Sequence, residues 1–312
     1  MKRYIIWLSI LFLIAIGCTN TPAASPIRST SPSATEPLPI ATNTPANDQT
    51  QLKVATWNIE HLRANDNEGD VRRTEEDYGR LAKYAQQLDA DIIALQEVDG
   101  AAAAARVFSP DEYNFYFSSR SNPQLTGFAV RNNLDIIQNP DFAELGLDGS
   151  LRYGTDITLN QNGTEIRFLS VHLKSFCFDN PLNTNDSDCR KLNEQVGILE
   201  GWIDARAEEG TPFVILGDFN RRFDAPQDDF WPEIDDSEPA NADLTRVTKG
   251  RRSECWNGRY PEYIDHIVFD KLATEWQVED SFAQLLFAAE DNRYEDVLSD
   301  HCPISVELNV NP

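Results

Sequence analysis

The sequence predicts one α/β domain with mixed β-sheets. Short, continuous apolar runs rich in β-branched residues alternate with amphipathic helical patterns along the chain. Two hairpin-like apolar segments lie between these runs, so mixed sheets are expected. No repeat or second linker is evident after residue 52, and a chain of 312 residues with 41% hydrophobic residues can bury a sizeable core.

The strands and helices follow from hydrophobic periodicity. Apolar runs predict buried strands over 53–57, 91–95, 166–171, 213–217, 264–269 and 303–308, with hairpin-like segments at 128–131 and 155–159. Two helices are predicted between them, because apolar residues recur there at helical spacing. The first presents Tyr78, Leu81, Ala82, Ala85 and Leu88 on one face, and the second presents Leu192, Val196, Leu199 and Ile203.

Polar residues cluster where several of these strands end. In chain order the clusters contain Asn58, Glu60 and His61, then Glu97, then His172 and Lys174, and then Asp218 and Asn220. The other two histidines, His266 and His301, lie in similar clusters at 264–266 and 299–303. Ligands of such sheets bind beyond the carboxyl ends of the strands, so these side chains are expected to form one site.

The residue types suit chemistry at a hard cation. Oxygen ligands from Asn58, Glu97 and Asp300 favour Mg²⁺, Mn²⁺ or Ca²⁺ over zinc. Histidines beside carboxylates can supply protons or hydrogen bonds to a developing oxyanion. The purely structural alternatives are turn formation for Asn58 and Asp218, and a solvated carboxylate for Glu97.

Six motifs in order carry a family resemblance. They are WN at 57–58, QE at 96–97, VHLKS at 171–175, GDFN at 217–220, IDH at 264–266 and SDHCPI at 299–304. Over residues 52–310 this set resembles the endonuclease/exonuclease/phosphatase superfamily, the deoxyribonuclease I-like fold. The resemblance implies a four-layer α/β/β/α sandwich of two mixed sheets flanked by helices. It also implies divalent-metal-dependent hydrolysis of a phosphoester by in-line attack of water.

The resemblance also implies a role for each motif residue. Glu97 would be the principal ligand of Mg²⁺ or Mn²⁺, with Asn58 and Asp300 close to the same ion and Glu60 contributing; Ca²⁺ is a further candidate. Asp218 would orient or deprotonate the water, and Asn220 would hold the phosphate. His301, its protonation fixed by Asp265, would bond a non-bridging oxygen, while His172 would bind phosphate or assist the leaving oxygen. His61 and His266 match no active-site position and are expected to be structural or supporting.

The sequence departs from the family pattern at one position and leaves other contacts open. In the secreted-nuclease branch a Glu near residues 116–120 pairs with the histidine that corresponds to His172, and here that segment contains Ser118, Ser119 and Arg120. Arg152 is expected either to contact phosphate or to form a surface salt bridge. Arg221 and Lys174 are further candidates for substrate binding.

Several functions share these motifs. The leading interpretation is a cell-surface phosphodiesterase, plausibly a nuclease, with a phosphoester substrate that includes nucleic acid among its candidates. A sphingomyelinase-like phospholipid phosphodiesterase and a phosphomonoesterase are the enzymatic alternatives. A non-catalytic binding module on the same fold is the alternative from a different class.

The N-terminal residues resemble a bacterial lipoprotein signal. Lys2 and Arg3 precede an apolar run over 4–16 that is too short to span a bilayer comfortably, and Gly17 precedes Cys18 as in a lipobox. Plain secretion and an uncleaved anchor are the alternatives. The Pro-, Ser- and Thr-rich residues 19–51 predict a disordered tether. Residues 52–312 would then form a monomeric catalytic domain outside the cytoplasm, anchored by lipid at Cys18.

Four cysteines remain after Cys18. An even number behind a signal peptide suggests two disulfides, for which three pairings are open. Cys177 with Cys189 would close a short loop, and Cys255 with Cys302 would then fasten a loop to the C-terminal motif. Four free buried thiols are the alternative.

The chain is strongly acidic, with 27 basic and 51 acidic residues and a formal charge of −24. Residues 1–51 hold only three basic and two acidic residues, so the excess belongs to the predicted domain. Such a surface repels polyphosphate at long range and argues against a basic clamp for nucleic acid. It does not exclude an acidic site that gathers metal ions to meet a phosphate.

Overall fold

The computed structural model describes residues 50–161 and 163–310. The predicted signal peptide, Cys18 and nearly all of the predicted tether lie outside these residues. The twelve strands found in the described part are β1 (Thr50–Leu62), β2 (Ile92–Val98), β3 (Tyr113–Phe117), β4 (Leu125–Arg131), β5 (Ile136–Gln138), β6 (Thr155–Gln161), β7 (Thr164–His172), β8 (Phe213–Asp218), β9 (Leu244–Arg246), β10 (Asp265–Asp270), β11 (Ala283–Gln284) and β12 (Ile304–Val310).

The strands form two six-stranded mixed sheets. The first has the order β11-β12-β1-β2-β4-β3, and the second has the order β5-β6-β7-β8-β10-β9. One pair in each sheet is parallel, β1 with β2 and β7 with β8, and the other paired strands are antiparallel. The predicted mixed sheets are therefore confirmed.

Two long helices cover the outer faces of the sheets. They are α1 (Glu75–Leu88) and α3 (Ser187–Glu209), and the short helical turns are α2 (Ala101–Ala104), α4 (Trp231–Ile234), α5 (Cys255–Gly258) and α6 (Lys271–Thr274). The Asp77 carboxylate accepts a hydrogen bond from the backbone N–H of Thr74 at 2.9 Å and closes the first turn of α1. The Asp186 carboxylate caps α3 through two backbone N–H groups, and Gly210 ends that helix with φ +68°.

Three apolar layers hold the sandwich together. The inner layer lies between the sheets and contains Val54 and Phe128 of one sheet with Phe168 and Leu216 of the other. One outer layer packs α1 on the first sheet, and the other packs α3 on the second. The expected four-layer α/β/β/α sandwich is confirmed. Among the described residues no helix is long and apolar enough to cross a bilayer.

Strand alternation directs the motif residues into the space between the sheets. Every second residue of a strand faces the inner layer, as Ile166 and Phe168 do in β7. The same alternation gives an inward direction to the polar residues at the strand ends. Those residues are Asn58 in β1, His172 in β7, Asp218 in β8 and Asp265 in β10. The apolar layer therefore ends in a polar one.

Both disulfide pairings proposed from the sequence are present. Cys177 is bonded to Cys189, and Cys255 is bonded to Cys302. The first disulfide ties the loop after β7 to the first turn of α3. The second ties the loop before β10 to the residue that follows His301. Each covalent link therefore lies a few residues from a strand-end histidine.

Gly217 is the one position of the GDFN turn that only glycine can fill. Its φ is +152°, and a Cβ placed there would lie 2.0 Å from the carbonyl oxygen of Val171 on the neighbouring strand. That contact is with backbone, so a larger side chain cannot be relieved by a change of rotamer.

We therefore expect Gly217→Ala to lower the free energy of unfolding by at least about 3 kcal/mol, because it adds both overlap and backbone strain. Chemical denaturation would measure the change. Gly79→Ala is the matched control: Gly79 lies in α1, and a Cβ added there would meet no neighbouring atom within 4 Å, so the substitution should stabilise the helix by up to about 1 kcal/mol. Equal stability of the two variants would contradict this account.

Candidate active site

A cleft of about 550 Å³ opens where the inward-facing strand ends meet. Residues from both sheets line it, among them Glu97 from the first sheet and His172, Asp218 and Asp265 from the second. Backbone pairing sets their spacing, because Asp218 lies opposite His172 in β7 and opposite Asp265 in β10. The side chains therefore belong to a rigid frame rather than to mobile loops.

A buried polar layer lies directly beneath the cleft. The Gln96 amide accepts a hydrogen bond from the Thr56 hydroxyl at 3.1 Å and donates one to the Ser170 hydroxyl at 3.2 Å, which joins the two sheets. All three side chains are buried. A satisfied polar network of this kind fixes the sheet-to-sheet registration under the site.

An irregularity in β2 turns Glu97 toward the cleft. Its φ is +60°, and the pairing of β2 with β4 shifts register between Leu95 and Val98. The Glu97 carboxylate accepts hydrogen bonds from the Gln124 side chain at 2.9 Å and the His61 backbone N–H at 3.3 Å. Backbone strain and a bulge of this kind commonly re-aim a side chain beside an active site.

Asn58 links the two carboxylates that resemble the metal and water positions. Its Nδ2 donates to Asp218 Oδ2 at 3.1 Å and to Glu97 Oε1 at 3.4 Å, while its Oδ1 accepts from the Glu60 backbone N–H at 3.0 Å. A rotation of the amide by 180° would turn its oxygen toward the same two carboxylates. Asn58 can therefore serve either as a hydrogen-bond donor or as an oxygen ligand.

Asp218 is the most enclosed carboxylate of the site, with 2% of its surface exposed. Burial raises its pKa to about 7, the positive charge of His301 opposes this rise, and Asp265 adds to it. Its Oδ1 accepts the backbone N–H of Asn220 at 2.8 Å. A carboxyl group that exchanges a proton near neutral pH suits a general base.

His301 and Asp265 form a close imidazole–carboxylate pair. His301 Nδ1 lies 2.7 Å from Asp265 Oδ2, which directs Nε2 toward Asp218 at 3.9 Å and Asp300 at 3.7 Å. Burial alone would lower the pKa of His301, but the adjacent Asp265, with Asp218 and Asp300, raises it well above its ordinary value. A cationic ring at neutral pH can donate from Nε2 to an anionic substrate oxygen.

His172 has the opposite protonation preference. Burial lowers its pKa well below the ordinary value, and the positive charge of Arg152 lowers it further. Its Nε2 lies 3.5 Å from Asp218 Oδ2, and within the described part of the chain its Nδ1 has no hydrogen-bond partner. The partner carboxylate of the secreted-nuclease branch is thus not replaced at Nδ1, which agrees with the departure at Ser118–Arg120.

The carboxylates of the cleft fit a hard divalent cation. Glu97, Asp218, Asp265 and Asp300 all line it, and Asp265 Oδ1 is buried without a hydrogen-bond partner among residues 50–161 and 163–310. Burial and the negative charge of Asp300 raise the pKa of Glu60 to about 7, although the hydrogen bond that Glu60 accepts from the Asp300 backbone N–H at 3.1 Å opposes this rise. Carboxylates that cluster in this way are stabilised by a bound cation.

Two groupings of ligand atoms are available to such an ion. The ligand atoms of Asp218, Asp265 and His301 lie within 4.8 Å of one another. The Asp265–His301 hydrogen bond already uses one atom from each of these two residues, so this grouping is better suited to hold a proton. The side of the cleft that offers the carboxylate of Glu97 and the amide oxygen of Asn58 therefore remains the better position for Mg²⁺ or Mn²⁺.

Arg152 is the candidate cation that reaches the cleft. It lines the cavity, and no ion pair of its guanidinium is found among the described residues. Burial lowers its pKa, whereas the nearby Glu97 and Asp218 raise it. This position in the cleft suits contact with a phosphate. It does not suit the alternative expectation, a surface salt bridge.

The expected substrate contact by Arg221 is wrong. Arg221 is fully buried and paired with Asp228 at 2.6 Å and Asp229 at 2.8 Å, where it braces the loop that contains Cys177. It points away from the motif beside it because these acidic side chains bind it. Lys174 pairs with Asp188 at 3.0 Å, and its Nζ lies 5.0 Å from the centroid of the Phe176 ring at the rim of the cleft, so its contact with substrate stays a prediction.

The remaining motif residues have positions that suit supporting roles at the cleft or in the protein interior. Asn220 lines the cleft and donates from Nδ2 to the Leu173 carbonyl at 3.1 Å. His61 also lines the cleft, with Nε2 3.2 Å from Glu97. His266 is buried and bonded to Thr248 at 2.6 Å, and burial lowers its pKa to about 3, so it is a neutral structural group.

Two features of the cleft were not predicted. Gln124 holds Glu97 from a turn before β4, and its positive φ of +61° has no clear signal in the sequence. Exposed aromatic rings, Phe176 at 69% and Tyr260 at 48% exposure, line the rim. Their position next to Cys177 and shortly after Cys255 could have indicated that the disulfides hold rim loops.

Comparisons with known proteins agree with this geometry. The model of the endonuclease/exonuclease/phosphatase family matches residues 55–301. No curated protein matches the chain significantly.

Solved structures share the fold at low sequence identity. A humanized D. rerio TDP2 has a TM-score of 0.58 and 18% identity, over 83% of this chain and 99% of that one. An endonuclease/exonuclease/phosphatase family protein from Bacteroides thetaiotaomicron has a TM-score of 0.54 and 18% identity, over 85% and 99%. The human nocturnin catalytic domain with bound sulfate has a TM-score of 0.51 and 15% identity, over 84% and 94%.

The His301–Asp265 pair makes a direct prediction. Asp265→Asn should lower the pKa of His301, because the neutral amide no longer stabilises the imidazolium, so the ring loses its proton at lower pH. An NMR pH titration of the ring would measure the shift. His266 is the internal control, since Thr248 and the Arg221 carbonyl hold it independently of Asp265. An unchanged His301 titration would exclude Asp265 as the cause of its raised pKa.

Proposed function

The chain belongs to the endonuclease/exonuclease/phosphatase family, whose members are phosphoester hydrolases, and from this we propose that it is a divalent-metal-dependent phosphodiesterase that acts as a nuclease. The observation that carries the proposal is the convergence of Asn58, Glu97, Asp218 and His301 at one cleft between the sheets. Acidic, amide and cationic groups are thus combined where a phosphoryl group can bind.

Asp218 has the environment of the residue that prepares the attacking water. Asn58 and the Asn220 backbone hold its two oxygens, so the carboxylate has a fixed orientation. Its raised pKa makes it basic enough to accept a proton from water near neutral pH. We assign it the role of general base.

Cationic and neutral donors lie close to Asp218 in the cleft. The His301 ring, held cationic by Asp265, can donate a hydrogen bond to a non-bridging phosphoryl oxygen. Arg152 contributes a positive charge from another part of the cavity wall. His172, which burial keeps neutral, can donate to the oxyanion or the leaving oxygen but is not a strong proton source.

The metal would be held on the Glu97 side of the cleft. Glu97 is the principal candidate ligand, Asn58 can offer its amide oxygen, and Asp300, positioned by Glu60, completes the oxygen set. When bound, a divalent cation supplies Lewis-acid polarisation and neutralises charge on the phosphoryl group. Mg²⁺ and Mn²⁺ suit such ligands, and Ca²⁺ is compatible with them.

We also propose that the protein is anchored outside the cytoplasm by lipid at Cys18. The two disulfides support an oxidising compartment, because such bonds rarely persist in the cytosol. The lipobox-like Gly17-Cys18 pair supports the anchor. A monomer in this setting would act on phosphodiesters outside the cell.

Purified chain should hydrolyse bis(p-nitrophenyl) phosphate with Mg²⁺ or Mn²⁺ and lose activity in excess chelator. Asp218→Asn should lower kcat by roughly 10²-fold or more, because the amide cannot accept the proton of water. Release of p-nitrophenol measures both effects.

Glu275→Gln is the matched control for the loss of one carboxylate. Glu275 is exposed and follows α6, at the opposite end of β10 from Asp265, so its substitution should leave kcat unchanged. Circular dichroism would confirm that both variants are folded. Full activity of Asp218→Asn, or full activity in chelator, would reject the proposed chemistry; no hydrolysis by the wild type would favour a non-catalytic binding module.

Replacement of Cys18 should release the protein from membranes. A Cys18→Ala chain cannot receive the lipid, so in bacterial cells it should move from the detergent phase to the aqueous phase on detergent partitioning. Wild-type chain that partitions into the aqueous phase would contradict the anchor and leave the catalytic proposal untouched.

A further inference from the structure

One short segment of this acidic chain is basic. Residues 246–259 contain five of the 27 basic residues and a single acidic one, Glu254. The segment runs from the end of β9 to the loop after Cys255, and its last residue, Arg259, lines the catalytic cleft. Positive charge is thus concentrated beside an acidic cleft, which suggests that this segment has a function of its own.

A second cavity of about 530 Å³ adjoins the cleft on this side. The two cavities share four lining residues, namely Arg222, Pro261, Glu262 and Tyr263. The two cavities therefore adjoin along these four residues. Arg251 and Arg252 also line the second cavity.

The charges that face the second cavity leave cations available. Three carboxylates also line this cavity. Asp179 pairs with Arg222 at 3.1 Å, and Asp224 pairs with Arg246 at 2.5 Å. Arg251 forms no ion pair within the described part of the chain; its Nε donates to the Val247 carbonyl at 2.9 Å, and its guanidinium lies 4.5 Å from the centroid of the Phe282 ring. Arg252 has a 73% exposed side chain and only a 4.0 Å contact to Glu262.

Two exposed aromatic rings lie at the rim of the catalytic cleft. Phe176 is exposed on one rim of the cleft, and Tyr260 is exposed on the rim that Arg259 and Pro261 share. Each ring is adjacent or close to a disulfide that ties its loop to the strand ends. Rings that alternate with cations are typical of tracts that bind single-stranded nucleic acid, where bases stack and cations meet phosphates.

We propose that the second cavity is a subsite for a neighbouring phosphate of a single-stranded nucleic acid. This inference rests on the proposed phosphodiester hydrolysis. Arg251 and Arg252 bind a phosphate next to the scissile one, while Tyr260 and Phe176 contact the bases at the rim. The acidic surface repels polyanions at long range, whereas the basic residues of 246–259 attract a polyanion beside the cleft.

The test compares substrates with and without a second phosphate. The full chain should have a lower KM for a single-stranded hexathymidylate than for the dinucleotide TpT, which has only the scissile phosphate. Arg251→Gln/Arg252→Gln should raise KM for the hexamer by about tenfold and reduce the salt slope of its log(kcat/KM) by about 1 to 2. Hydrolysis of bis(p-nitrophenyl) phosphate, which has no second phosphate, should stay within about twofold of the wild type because no subsite contact is lost.

Lys83→Gln/Arg293→Gln is the matched control, because it removes two exposed positive charges that line neither cavity. It should leave the KM for the hexamer unchanged. Arg252→Gln alone serves if the double variant is unstable, since its exposed side chain holds no close bond. The single variant should raise that KM in the same direction by a smaller factor.

Three outcomes separate the possibilities. A wild-type KM that does not fall with oligonucleotide length, or a double variant equal to its control, would overturn the subsite while the catalytic proposal stands. Loss of binding to phosphatidylglycerol vesicles without a change in the hexamer KM would also overturn it and assign the arginines to a membrane. Absence of hydrolysis on every phosphodiester would instead reject the proposed function on which the subsite rests.

Discussion

The hydrogen bonds by which Asn58 joins Glu97 to Asp218 connect the two sheets at the point where their apolar layer ends. Strand alternation brings these polar groups inward, and burial then makes their negative charges unfavourable unless a donor or cation accompanies them. The amide of Asn58 and the cationic ring of His301 meet that requirement, and the proposed metal ion would meet it as well. The chemistry of the site thus follows from the burial of polar side chains between the two sheets.

Much of this architecture could be predicted from the sequence. The continuous apolar runs became β1, β2, β7, β8, β10 and β12, because buried strands have a strong pattern. The short edge strands β3, β5, β9 and β11 were not predicted, since an edge strand buries too few residues for a clear period. Asp218 was placed by its strand-end position, which backbone pairing enforces, and His301 by its motif. Arg221 was misassigned because acidic partners outside the motif decide where a long cationic side chain points.

Charge has two separate roles in this protein. Most of the net charge of −24 is spread over a surface that discourages long-range contact with polyanions, while a few carboxylates gather at the cleft. The basic residues of 246–259 reverse the sign on one side of that cleft. Selectivity would then come from local placement of charge on rim loops, which the two disulfides hold near the catalytic strands.

The most direct test of the central claim is whether Glu97 and its neighbours hold a divalent cation. Titration of the chelator-treated chain with Mg²⁺, followed by differential scanning calorimetry, measures this without reference to catalysis. Because a ligand that binds only the folded state stabilises it, the wild type and Glu275→Gln should gain Tm with Mg²⁺, whereas Glu97→Gln should gain little or none. An equal gain in all three proteins would show that the cation binds elsewhere and would contradict the account.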